Sequence, residues 1–276
     1  MMDCKQCQGL ATRDFSSGDA KDRAAEPQGI ATPTYSRTML IPSRRPRFAR
    51  PRDRAFRILA VGHADACRGP QAAQLLRLRL PHAFGGAQTD ALEVSSAGTR
   101  ANDGAPMDHH AAEEAELLGV VSTEPHEARR LQRSQLQRAD LVLGMAREHS
   151  EVAIDLRPEI APRTFTLVGF TMLVEALASG EAGVPVEPLG SAGLAPFMRG
   201  VVGAADAARD RVAPPLPEVL LDLLDPYRHG GVYRRSVESI DRNVARLAIA
   251  LAEIASGRAA DGLDASANPR LMQLVG

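Results

Sequence analysis

Apolar and polar positions along the chain set up an alternation of short buried strands and amphipathic helices that begins at residue 56. FRILAV (56–61) is a continuous apolar run closed by Gly62, the pattern of a parallel strand covered on both faces. PQAAQLLRLRL (70–80) follows, with Pro70 at the expected first helical position and Ala72, Leu75, Leu76 and Leu80 at helical spacing. The alternation repeats: LEVSSAG (92–98) reads as a strand, 105–119 as a helix ended by Gly119, ADLVLGM (139–145) as a third buried strand and the β-branched RTFTL (163–167) as a fourth. Helical periodicity returns at 169–180, around 201–211, and most strongly over 231–256, where Val237, Ile240, Val244, Leu247 and Leu251 form one stripe. Strands alternating with helices predict an α/β fold: a single doubly wound domain with a four-stranded parallel sheet and helices on both faces.

Residues 1–54 are polar and rich in Ser, Arg, Pro and Gly without a sustained apolar period, which predicts a disordered tail. Within it, SRRPRFARPRDR (43–54) holds six Arg against one Asp, either a solvated linker or a contact for phosphate groups and acidic partners. The domain is expected over 55–257, with an irregular Gly- and Pro-rich insertion at about 180–200 and a flexible tail over 258–276.

Composition narrows the function classes. Aromatic residues make up 4% of the 276 and Trp is absent, so the core must be built from Leu, Val, Ile and Ala. Thirty-three Lys and Arg against thirty-four Asp and Glu give a formal charge of −1, which points to no specific nucleic-acid partner and no anionic membrane surface. No stretch reaches the ~20 apolar residues of a membrane span, and the first residues lack an apolar signal core, so a cytoplasmic location is expected. The three cysteines, Cys4, Cys7 and Cys67, cannot build a disulfide framework. Cys4 and Cys7 form a lone CxxC with no second pair to complete four zinc ligands.

The candidate chemistry lies after the first strand. A strand that feeds a loop of small residues (63–67) into a helix start makes an anion site, because consecutive backbone N–H groups converge and the helix dipole favours negative charge. Arg68 adds a bidentate fork suited to phosphate. Asp108, His109 and His110 fall at a helix start where Asp108 serves as an N-cap, and no metal is expected there or elsewhere.

Three further stretches, SSAGTRANDGAPMD (95–108), RRLQRSQLQRADLVLGMAREH (129–149) and LDPYRHGGVYRRSVESIDR (224–242), follow in the order found in low-molecular-weight protein tyrosine phosphatases. The chain resembles that family over roughly residues 56–256. The family's loop runs Cys-x-Gly-Asn-x-Cys-Arg-Ser-Pro, and the resemblance lays it on residues 62–70 here. Gly62 then stands at the nucleophile's position, His63, Ala64, Asp65, Ala66 and Cys67 form the phosphate-binding loop, and Arg68 is the residue that holds phosphate and the transition state. Cys67 matches the family's second cysteine. Asp225 matches the general acid, Tyr227 an aromatic wall of the substrate cleft, and Ser95, Ser96 and Thr99 the segment that supports the loop. The departures are chemical: Gly62 has no thiolate, Ala64 replaces a glycine whose backbone freedom is expected to matter, Asp65 brings a charge near the anion in place of Asn, and Gly69 replaces a hydroxyl.

The resemblance therefore implies a phosphotyrosine or phosphomonoester cleft without the nucleophile, a pseudophosphatase needing no cofactor, with a phosphoprotein or small phosphate ester as partner. The alternative is a residual hydrolase that uses Cys67, or water activated by Asp225. Arsenate reduction is disfavoured because no cysteine follows Cys67.

Overall fold

The computed structural model describes residues 55–85, 91–121, 124–213, 217–227 and 232–258; the expectations for residues 1–54, with Cys4 and Cys7, and for the tail beyond Arg258 lie outside them. Strands β1 (Phe56–Gly62), β2 (Leu92–Gly98), β3 (Leu141–Gly144) and β4 (Thr164–Thr166) form one parallel sheet in the order β2-β1-β3-β4. The pairing runs Phe56 against Leu92 through Gly62 against Gly98 on one side of β1, and Ile58 against Leu141 through Val61 against Gly144 on the other.

The continuous apolar run of β1 divides between two cores by simple alternation. Phe56, Ile58 and Ala60 face the larger core with helices α1 (Arg68–Ala83), α5 (Leu167–Ala178), α6 (Leu194–Ala208) and α7 (Tyr233–Ala255). Leu59 and Val61 face the smaller one, with Leu136 of α3 (Arg133–Arg138) and Ala153 of α4 (Arg147–Leu156). Both faces are covered, as the run predicts. The five stripe residues of α7 are each at most 1% exposed, and burying such side chains stabilises the fold by ~1.5–3 kcal/mol apiece.

Several boundaries differ from the sequence pattern. Helix α1 starts at Arg68, two residues before expectation, so Pro70 is its third residue, where a missing N–H is still harmless. The helix expected over 105–119 is α2 (His109–Leu117), set by the Asp108 carboxylate accepting the Ala111 amide at 3.1 Å. The insertion expected to reach residue 200 ends earlier, because α6 begins at Leu194. Helices α3 and α4 did not stand out in the pattern, since few of their residues are buried: Leu136 in α3, and His149, Ser150 and Ala153 in α4. No helix among the described residues is long and apolar enough to cross a membrane.

Candidate active site

In an open parallel sheet, the crevice forms where neighbouring strands connect in opposite directions. Here that point lies between the C-terminal ends of β1 and β3, and the segments leaving them are 63–67 and 145–146. The first of these is built with its carbonyls outward. Gly62 O accepts from Thr99 N at 2.9 Å, His63 O from Arg100 N at 2.7 Å, Ala66 O from Asp108 N at 2.7 Å, and Cys67 O from Gln71 N at 3.0 Å. The Asp65 carbonyl accepts from His126 Nε2 at 2.6 Å. The amides of residues 63–67 donate to no protein acceptor among the described residues. Gly62, His63, Ala64, Asp65 and Cys67 line a pocket of about 400 Å³ together with Arg68, Asp225 and Tyr227.

Two residues shape this loop. A Cβ on Gly98 would stand 2.6 Å from Asp65 N and 2.7 Å from His63 O, so only glycine lets β2 support the loop this closely. Support from 95–99 comes in part through the backbone of Gly98 and Thr99. The left-handed residue is Asp65, at φ 53°, whereas Ala64 has no positive φ. The expectation of backbone strain at Ala64 is thus corrected: the turn falls one residue later, on a residue type that tolerates it. Nor does the Asp65 carboxylate simply confront an anion. It is buried, and Oδ2 accepts the Arg129 amide at 2.9 Å, so Asp65 itself braces the loop. Burial raises its pKa against the lowering effects of the Arg129 amide, the Ser96 side chain and His126.

Arg68 is buried, and its guanidinium donates to Asp225 Oδ2 at 2.7 Å and to the Leu223 carbonyl at 2.9 Å. Arg68 and Asp225, expected from the sequence to hold phosphate and to serve as general acid, therefore hold each other. Asp225 Oδ1 accepts the Tyr227 amide at 3.0 Å, which fixes the turn. The Tyr227 hydroxyl donates to Asp108 Oδ2 at 2.9 Å, and burial with the Asp108 carboxylate pushes its pKa up.

Gly62 ends β1 with room beside it. A Cβ there would lie 3.4 Å from the Gly69 amide nitrogen and 4.0 Å from Met145 Cγ, which are ordinary contacts. Cys67 is buried at the start of α1. Its Sγ lies 3.7 Å from Gln71 Oε1, and burial, helped by Asp108, pushes its pKa up to about 12 against the opposing pull of Arg68. At neutral pH it is a thiol, and the thiolate is the nucleophile.

Sequence reasoning gave His63 only a backbone role and passed over Glu148 and His149. The structure brings the three side chains together, with one donor atom from each within 4.8 Å of the others. The His63 and His149 rings are 6.5 Å apart, and His149 Nε2 lies 3.5 Å from Glu148 Oε1. His149 is 1% exposed and neither ring nitrogen has a hydrogen-bond partner. Burial and then the nearby Arg68 lower its pKa to about 4, so the ring is neutral. The legible signal was position: Glu148 and His149 follow the third strand's C-terminal end, as His63 follows the first's. His109 and His110, by contrast, are exposed and pair with Glu113.

The profile of a family described as low molecular weight phosphotyrosine protein phosphatase matches residues 57–186. A protein-arginine-phosphatase from Geobacillus stearothermophilus is 30% identical over 132 residues, which are 48% of this chain and 82% of that protein. Among solved structures, an arginine phosphatase from the same organism is similar at 24% identity and a TM-score of 0.44, covering 70% of this chain and 90% of that one. A low molecular weight protein tyrosine phosphatase from T. tengcongensis is similar at 24% identity and a TM-score of 0.45, covering 70% of this chain and 97% of that one. The matched profile ends before Asp225 and Tyr227, which the chain's tertiary course returns to the loop.

Proposed function

The chain belongs to the low molecular weight phosphotyrosine protein phosphatase family, and from that premise we propose that it is a pseudophosphatase, a phosphate-ester-binding protein that has lost cysteine-dependent hydrolysis. One observation carries this reading. The residue at the head of the loop is Gly62, and the cysteine nearest to it in sequence is a buried thiol whose pKa is pushed up to about 12. A phosphoenzyme needs a thiolate in line with the phosphorus, and a misplacement of about 1 Å alone can cost ~10²-fold in rate.

The binding half of the reading is supported by a loop whose carbonyls are held by other backbone amides, leaving the amides of 63–67 without a protein acceptor among the described residues, and by Arg68, which lines the same pocket. Its pairing with Asp225 makes the resting site neutral there, so an incoming phosphate competes with a carboxylate for the same cation. The ligand class is a phosphorylated side chain. Phosphotyrosine fits the family's description and phosphoarginine fits the name of the relative, which makes both the probes of choice.

The test is hydrolysis of para-nitrophenyl phosphate in EDTA by the parent, Cys67→Ser and Gly62→Cys, beside calorimetric titration of the parent with phosphotyrosine and phosphoarginine peptides. Expected are no turnover by the parent, a gain in Gly62→Cys, and binding of at least one peptide. Parent turnover that vanishes in Cys67→Ser overturns the loss of cysteine catalysis. Turnover that survives it but is lost in Asp225→Asn assigns the activated-water alternative, and absence of all peptide binding removes the ligand.

A further inference from the structure

Beside the loop, three side chains offer a donor set that the anion pocket does not use. His63 comes from the end of β1, and Glu148 and His149 from the first turn of α4, which leaves β3; the sheet's switch point thus sets two imidazoles and one carboxylate against each other. In a tetrahedral site with zinc–ligand distances of 2.0–2.2 Å, donor atoms are about 3.4 Å apart. His149 Nε2 and Glu148 Oε1 already meet that spacing at 3.5 Å, and the full set lies within 4.8 Å. The third donor, His63, is on an exposed side chain.

The second observation is independent of that clustering. A fully buried imidazole with two unbonded nitrogens is a costly thing to leave unsatisfied, because a polar group removed from water without a partner loses roughly 1–3 kcal/mol. Its Nε2 lies 3.5 Å from Glu148 Oε1, and a donor atom of each of the three residues lies within 4.8 Å of the others. Arg68, which lies near His149, is paired with Asp225 at 2.7 Å.

We infer that His63, Glu148 and His149 bind a divalent transition-metal ion of the zinc class, with a fourth coordination position left open. Two imidazoles and one carboxylate select borderline ions such as Zn²⁺ or Co²⁺ over Mg²⁺, which prefers oxygen. His63 lines the anion pocket, so the open position lies at its margin and takes a water molecule or a ligand oxygen. The inference does not rest on the phosphate-binding reading, and either stands if the other fails.

The experiment is calorimetric titration of the full chain with ZnCl₂, carrying Cys4→Ser and Cys7→Ser so that the N-terminal pair cannot contribute, followed by Co²⁺ absorption spectroscopy. Expected are one tight zinc per chain, at least a 100-fold preference over Mg²⁺, and Co²⁺ bands of low-coordinate nitrogen and oxygen ligation without a thiolate charge-transfer band. His63→Ala and Glu148→Gln change partly or fully exposed side chains and should leave folding intact while weakening zinc at least 10-fold each. His109→Ala with His110→Ala should change nothing. Zinc binding that is absent, or unaltered in both His63→Ala and Glu148→Gln, overturns the assignment.

Discussion

Replacing Asp225 by Asn isolates what the Arg68 pair does. The pair is 2.7 Å long with side chains 6% and 14% exposed, and Arg68 also donates to the Leu223 carbonyl. Removing one charge from a buried pair typically costs 3–5 kcal/mol, because the remaining charge is stranded. Asn keeps an acceptor of nearly the same shape and the Leu223 bond remains, so we expect a loss at or just below the bottom of that range, about 2–3 kcal/mol. For a domain of this size, 1 kcal/mol moves the midpoint by about 2–4 °C, so Tm should fall by about 4–12 °C. The same change should improve anion binding. A carboxylate about 5 Å from a bound oxyanion repels it by up to about 3 kcal/mol at an effective dielectric constant of 20. If only about half of that is realised, affinity rises about tenfold. With dissociation constants of about 10 mM for the parent and about 1 mM for the variant, 50 mM sulfate stabilises the variant by about 1.3 kcal/mol more, or about 3–5 °C. The assay is thermal unfolding of both proteins in sulfate and in chloride at matched ionic strength. A variant that melts with the parent, or that gains no more from sulfate than the parent does, would refute the view that Asp225 occupies the cation an anion needs.

The remaining expectations concern the loop. In a Cys4→Ser, Cys7→Ser background, Cys67 should resist iodoacetamide at pH 8, where a pKa of about 12 leaves a thiolate fraction of only ~10⁻⁴, and should react quickly in urea; rapid labelling of the folded protein would contradict its burial. The sign for stability follows: the folded pKa exceeds the unfolded value near 8.5, so the contribution is complete below about pH 8.5 and is lost as pH rises toward 12, which urea midpoints between pH 8 and 10 would register as a decline. Gly98→Ala would push a methyl group onto loop backbone at 2.6 Å and should destabilise by about 1–3 kcal/mol in urea unfolding; a change below about 0.5 kcal/mol would show that the loop yields freely. Asp65→Ala removes the acceptor for the Arg129 amide and places alanine at φ 53°, for an expected loss of about 2–4 kcal/mol, whereas Asp65→Asn keeps both features and should lose much less. Equal losses in the two variants would assign the effect to charge.

The sequence by itself determined the four strands, the doubly wound sheet and the head of the loop, because these depend on local patterns: apolar runs of strand length, helical stripes, and small residues between a strand and a helix. The assignment of Gly62 to the nucleophile's position is likewise an expectation from the sequence, carried by the resemblance of residues 62–70 to the family's loop. Relations between distant residues emerge only on folding. Arg68 and Asp225 are 157 positions apart and meet in one ion pair, and Asp65 finds the Arg129 amide 64 positions away. The fate of Cys67 is likewise a matter of burial, which sets the cost of a thiolate and cannot be read from neighbours in sequence. The meeting of His63 with Glu148 and His149 follows from β1 lying beside β3, a pairing that strand patterns permit but that the packed sheet alone selects.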